Sequence, residues 1–151
     1  MLYTGSYDNN CKASQKCHLV SISGDHGLKA GFTGDKCSSL APKLEFWKTW
    51  EANIGKISTP VNNTYYLREY YEGVLKGLDP NLILGTVDYD AILLCYEQPH
   101  EFCHRQIVAV WLEEKLQCVV PEVKTTSLGL ARVRANYRGF IRKALKEIMN
   151  D

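Results

Sequence analysis

Residues Ala91-Ile92-Leu93-Leu94-Cys95 constrain the fold of this chain more than any other stretch. Consecutive apolar residues leave no polar side for water, so the run reads as a strand, Tyr89 to Cys95, covered on both faces. Strands buried on both faces belong to parallel sheets, whose crossover helices cover them. A helix follows, opened by Cys103-His104-Arg105, with Ile107, Val108, Trp111 and Leu112 on the face toward the sheet.

The rest of the chain fits the same pattern. Met1 to Tyr7 and His18 to Ser23 read as two further strands, and Gln117 to Val120 as a fourth, cut off by Pro121. The polar link from Asp8 to Lys16 has room for a turn of helix. Pro42 opens a helix carrying Leu44, Trp47 and Trp50 and ending near Gly55. Asn63 or Thr64 caps the next, whose Leu67, Tyr70, Tyr71, Val74, Leu75 and Leu78 make one buried face before Gly77 and Pro80 stop it. Thr125 to Arg134 fits no single element. Tyr137, Phe140, Ile141, Ala144, Leu145 and Ile148 form the apolar stripe of a last helix. Strands alternating with helices predict one α/β domain over residues 1–151, a Rossmann-like three-layer sandwich around a mostly parallel sheet.

Such sheets place ligands at the carboxyl ends of their strands, facing helix starts. Here those positions hold Cys95 and Glu97 at the strand end and Cys103, His104 and Arg105 at the helix start. Unpaired backbone N–H groups and the helix dipole favour a thiolate at Cys103, or equally an anion held by Arg105 and His104. Glu97 suits a general base or an orienting carboxylate. Cys95 reads more simply as a small side chain packed at the end of a buried strand. Tyr3, Thr4 and Ser6, near the end of the first strand, are the further candidates for ligand binding.

Two Cys-His pairs, Cys17-His18 and Cys103-His104, lie downstream of Cys11 and Cys95. Their spacings match no standard zinc site, so no metal is expected. The stretch with Gly24, Gly27, Gly31 and Gly34 lacks both the dinucleotide and the P-loop glycine order and reads as a surface loop, with His26 facing solvent. No cofactor motif is visible.

Eighteen basic and 17 acidic residues give a formal charge of +1, no global case for nucleic acid. The basic residues gather late, and Arg134, Arg138, Arg142 and Lys146 recur every fourth position along the last helix, a solvated face or a surface for an anionic partner such as nucleic acid. The absence of a long apolar run or signal-peptide pattern suggests a cytoplasmic protein whose six cysteines are reduced thiols. Asn62-Asn63-Thr64 then marks only a turn and a helix cap.

At Leu93-Leu94-Cys95-Tyr96-Glu97-Gln98-Pro99 and Glu101-Phe102-Cys103-His104-Arg105 the chain resembles domain-of-unknown-function family 488, marked by a strand ending in Cys-x-Glu and a helix opened by Cys-His-Arg. Tyr3-Thr4-Gly5-Ser6-Tyr7, Ser21-Ile22-Ser23, Leu40-Ala41-Pro42 and Glu69 to Leu78 are similar to other parts of that family, so the likeness covers most of residues 1–116. The first loop, with Asn9, Asn10 and Cys11, and the glycine stretch depart from it. The resemblance implies a Rossmann-like fold and points to Cys95, Glu97, Cys103, His104 and Arg105; it implies no particular reaction.

The residues lead to a small enzyme acting on a nucleotide, a nucleoside derivative or a modified base by hydrolysis or group transfer. In that expectation Arg105 holds an anionic group, Glu97 is base or nucleophile, Cys103 and His104 assist, and Tyr3 and Ser6 complete the pocket. A non-enzymatic binder of a small anionic nucleotide, and a nucleic-acid module using Arg134, Arg138 and Arg142, are the alternatives.

Overall fold

The computed structural model describes residues 1–12, 16–87 and 90–151. Its centre is a four-stranded, all-parallel sheet in the order β1-β4-β2-β3, formed by β1 (Leu2–Ser6), β2 (His18–Ser21), β3 (Asp35–Lys36) and β4 (Ala91–Cys95). All five residues of β4 are buried, because β1 and β2 flank the strand and side chains cover both of its faces. Alternation divides them: Ala91 and Leu93 join the large core on the helix side, while Ile92 and Leu94 meet Tyr7 and Val123 on the other.

Six α-helices lie among the described residues: α1 (Tyr7–Asn10), α2 (Leu44–Ala52), α3 (Thr59–Tyr70), α4 (Pro80–Thr86), α5 (His104–Leu116) and α6 (Arg138–Met149). The chain is therefore an α/β protein. Ile107, Val108, Trp111 and Leu112 of α5 are buried in the main core, and Ile141, Leu145 and Ile148 of α6 pack there too. Each such side chain removed from water stabilises the fold by about 1.5–3 kcal/mol. None of these helices is long and apolar enough to cross a membrane.

Several boundaries differ from expectation. Helix α3 begins at Thr59, after Ser58, because Pro60 fits the first helical turn; Asn62 and Asn63 lie buried inside the helix rather than capping it. The helix continues as a π-turn over Tyr71–Leu75. Pro80 does not only stop that helix; it starts α4, with the Asp79 carboxylate accepting from the Asn81 N–H. Tyr89 lies outside the described residues.

The expected fourth strand is absent at residues 117–120. Gln117 turns into the left-handed region (φ 53°) to end α5, and the chain then pairs with β1 at an isolated bridge between Thr4 and Glu122 rather than as a strand. The ambiguous stretch that follows is an antiparallel hairpin, β5 (Val123–Thr126) with β6 (Gly129–Arg132). Its Val123 and Leu130 help to cover the second face of the sheet.

Candidate functional site

The pocket lies at the carboxyl ends of β2 and β4. Ser23, Gly24 and Asp25 enter it from the segment after β2; Cys95, Tyr96 and Glu97 enter from the end of β4. Phe102, Cys103 and His104 close it from the start of α5, and Trp47, Trp50 and Tyr66 reach in from α2 and α3. The cavity has a volume of about 640 Å³, enough for a nucleoside-sized molecule.

The aromatic walls are a connected set. The Trp50 and Tyr66 ring centroids are 5.5 Å apart, those of Tyr66 and Phe102 5.6 Å, and those of Trp50 and Phe102 6.1 Å. Buried polar residues on α3 hold Trp50 in place. Asn63 Oδ1 accepts from the indole Nε1–H at 3.0 Å, and the Asn62 amide donates to the Trp50 carbonyl at 2.9 Å. The sequence reading had no role for these asparagines beyond a turn and a cap.

At the floor, Cys103 is the N-cap of α5, and its Sγ accepts from the Arg105 backbone N–H at 3.4 Å. The structure pairs the Cys95 and Cys103 sulfurs in contact, where separate thiols were expected, while their Cα atoms stand 7.9 Å apart. His104 Nε2 lies 2.7 Å from the Ile22 carbonyl and must donate to it, so the neutral ring turns Nδ1 toward Cys103 Sγ, 3.9 Å away. Burial pushes the His104 pKa down to about 4; the carbonyl partner opposes that shift and Arg105 adds to it. Glu97 is half-buried, with Oε2 3.4 Å from Cys95 Sγ. Burial pushes its carboxyl above the usual range, against a smaller lowering by its own backbone and by Arg105.

Arg105 does not face the pocket. It is fully buried and pairs with Glu122, Nη2 to Oε2 at 2.6 Å and Nε to both oxygens at 3.1 and 3.2 Å. Its Nη1 donates to Cys95 Sγ at 3.0 Å and Cys103 Sγ at 3.5 Å. Burial alone would raise the Glu122 pKa, but Arg105, with hydrogen bonds from Thr4 and Gln106, holds the carboxyl below its ordinary range. The anion-holding role expected of Arg105 thus meets a guanidinium already occupied inside the protein. Among the described residues, Lys29, exposed at the rim, is the lysine or arginine that lines the cavity.

Tyr3, Thr4 and Ser6 also line no part of it. The end of β1 does neighbour the Cys95 strand, with Ser6 opposite Cys95. Yet Tyr3 packs on the opposite sheet face, against the cluster of Tyr7, Ile92, Leu94 and Val123. Thr4 is buried between Glu122, to which it donates at 2.7 Å, and Arg138, from which it accepts at 2.8 Å. Ser6 caps α1 by accepting from the Asn9 N–H. From this part of the chain only Tyr7 approaches, through hydrogen bonds of 2.7 Å to Ser21 and Ser23.

The glycine stretch, expected to be a plain surface loop, forms one wall. Asp25 fastens it, accepting from the Gly27 and Lys29 N–H groups, Ser23 Oγ and Tyr96 Oη. Burial works against ionisation of Asp25, but these donors prevail and hold its pKa at about 2. Burial and the Asp25 bond push Tyr96 up to about 12. Gly27 has φ 81°, and a Cβ there would lie 2.6 Å from Phe32 Cβ, so the turn needs glycine.

The basic flank of α6 is largely spoken for. Arg138 donates to Gln106, Val120 and Thr4, Arg142 pairs with Glu113 at 2.8 Å, and Lys146 lies 3.7 Å from Glu114. Arg134 remains on the exposed surface. No protein-family model matches the chain, and no curated protein or solved structure matches it either.

Proposed function

We propose that this protein is an enzyme acting on a nucleotide, a nucleoside derivative or a modified base by hydrolysis or group transfer. The observation that carries the reading is the set of aromatic walls, Trp47, Trp50, Tyr66 and Phe102, standing over Glu97, Cys103 and His104 in one cavity. A planar ring stacks on such walls with little dependence on its identity, a contact worth about 1–3 kcal/mol per base. Glu97, the carboxylate lining the cavity beside Cys103 and His104, handles the proton, and the other two position or polarise the reacting group. Where the substrate carries a phosphate, Lys29 at the rim is its partner in place of Arg105.

In this reading the parallel sheet and its helices belong to a Rossmann-like three-layer sandwich, as the resemblance to family 488 implies, and the protein works in the cytoplasm. Of the positions quoted for that resemblance, Cys95, Glu97, Cys103 and His104 line the pocket and Arg105 lies behind its floor.

Glu97→Gln tests the proposal. An enzyme loses about 10²- to 10⁴-fold in turnover of a ligand found by screening nucleosides, bases and nucleotides, while the dissociation constant changes little. Saturable binding without turnover in the wild-type protein replaces this reading with that of a non-catalytic binder.

A further inference from the structure

We propose that Cys95, Cys103 and His104 form a binding site for a thiophilic divalent metal ion of the zinc class at the floor of the pocket. The inference rests on the side-chain cluster alone and does not depend on what the aromatic walls hold. One ligand atom from each of the three residues falls within 4.8 Å of the others, and all three side chains are buried. They come from two elements, the end of β4 and the start of α5, so the backbone fixes them before any ion arrives.

Four features favour a metal over other uses of these groups. First, the histidine is oriented as metal-bound imidazoles are, with one ring nitrogen pinned to a backbone carbonyl and the other turned toward the Cys103 sulfur, on the side where an ion would sit. Second, the backbone holds the two cysteine Cα atoms 7.9 Å apart. Disulfides usually span about 4.4–6.8 Å between Cα atoms. Two sulfurs sharing one tetrahedral ion at bonds of about 2.3 Å lie about 3.8 Å from each other, which suits the wider spacing. Third, Arg105 Nη1 donates to both sulfurs, as a partner of thiolates does. Arg105 and Glu122 cancel one another, so two buried thiolates are left for a divalent cation to neutralise. Fourth, the chemistry of the donors is soft. Two thiolates and an imidazole select zinc-like ions over magnesium or calcium, which take oxygen ligands.

Three protein ligands leave a fourth position, and all three residues line the cavity with Glu97 beside them, Oε2 3.4 Å from Cys95 Sγ. Closed structural zinc sites use four protein ligands; an open position is the mark of a site that presents its ion to a small molecule. The spacing rules of sequence reading pass over this cluster because Cys95 meets the Cys103-His104 pair only through the fold. Cys11 and Cys17, the other cysteines upstream of a Cys-His pair, are not part of it.

The test is metal uptake by the full chain. Protein purified with a thiol reductant and no chelator is analysed for bound metal by mass spectrometry, then stripped and titrated with Zn²⁺ or Co²⁺. The expected result is near-equimolar zinc, and with cobalt a thiolate-to-metal charge-transfer band together with the intense visible bands of a tetrahedral centre. Cys95→Ser, Cys103→Ser and His104→Ala abolish or sharply weaken uptake, while Cys37→Ser, at a buried cysteine outside the cluster, leaves it intact. The wild-type cobalt spectrum needs no variant, so a variant that fails to fold does not obscure the answer. Two results overturn the proposal: reduced wild-type protein that takes up no more zinc or cobalt than Cys103→Ser, or a Cys95–Cys103 disulfide that forms in air despite excess zinc. Zinc uptake by a protein that binds no base or nucleoside would uphold the metal site and remove the ring-binding reading; the converse pair of results would do the reverse.

Discussion

Arg105 divides its donors between a carboxylate and two sulfurs, and every one of them points into the protein. Its charge is balanced by Glu122, and removing one partner leaves the other as an uncompensated buried charge. Arg105→Met is therefore expected to destabilise the fold by about 3–5 kcal/mol in denaturant titrations, and Arg105→Met with Glu122→Leu to recover much of that loss. The pair also sets an acid limit. Glu122 titrates lower in the folded chain than in the unfolded one, so its stabilisation is present above the ordinary glutamate pKa of about 4.3 and is lost as pH falls through the folded value. Melting temperatures measured down to pH 3 are expected to fall more steeply in the wild type than in the double variant. Residue types and their neighbours in the chain made Arg105 legible as part of a cluster. They did not reveal Glu122, 17 positions on, which turns an anion-binding guanidinium into a structural one.

The segment after β2 shows what one side chain does for an element. Asp25 gathers the Gly27 and Lys29 amides, Ser23 and Tyr96, and so gives the pocket its wall. Asp25→Ala is expected to raise the hydrogen-exchange rates of the Gly27 and Lys29 amides about tenfold or more, with little effect on those of β4. Because the folded pKa of Asp25 lies below its unfolded value, the same loosening is expected in the wild type as pH falls from about 4 toward about 2. Unchanged exchange in Asp25→Ala would mean that the loop is held by other contacts. Periodicity identified this stretch as a loop through its glycines and had no means of seeing Tyr96, 71 positions away, as its anchor. Helix α3 teaches the same lesson: Asn62 and Asn63 read as a turn and a cap because their type favours such places, but Trp50 gives them partners inside the helix.

Across the whole molecule, the apolar run of β4 and the stripes of α5 and α6 were legible because burial dictates residue type there directly. A parallel α/β fold with its site at the end of β4 follows from them. Leu93, fully buried on the helix side of the sheet, is expected to cost about 2–5 kcal/mol on truncation to alanine. The segment after α5 was misread because Pro121 and the turn at Gln117 are local signals, whereas the choice between a sheet strand and the β5–β6 hairpin depends on what β1 has left to pair. The pocket walls were hidden for a related reason. Trp47, Trp50, Tyr66 and Phe102 come from three parts of the chain, and each alone reads as core.

The central claim is that these walls hold a planar ring over Glu97, Cys103 and His104. It is tested most directly by titrating purified protein with bases, nucleosides and nucleotides while following tryptophan fluorescence, since two of the three tryptophans line the cavity. The expected result is saturable quenching by at least one of these compounds, retained in Glu97→Gln and lost in Trp50→Leu and Phe102→Ala. Absence of saturable quenching with every compound, or quenching unchanged in both wall variants, would contradict it.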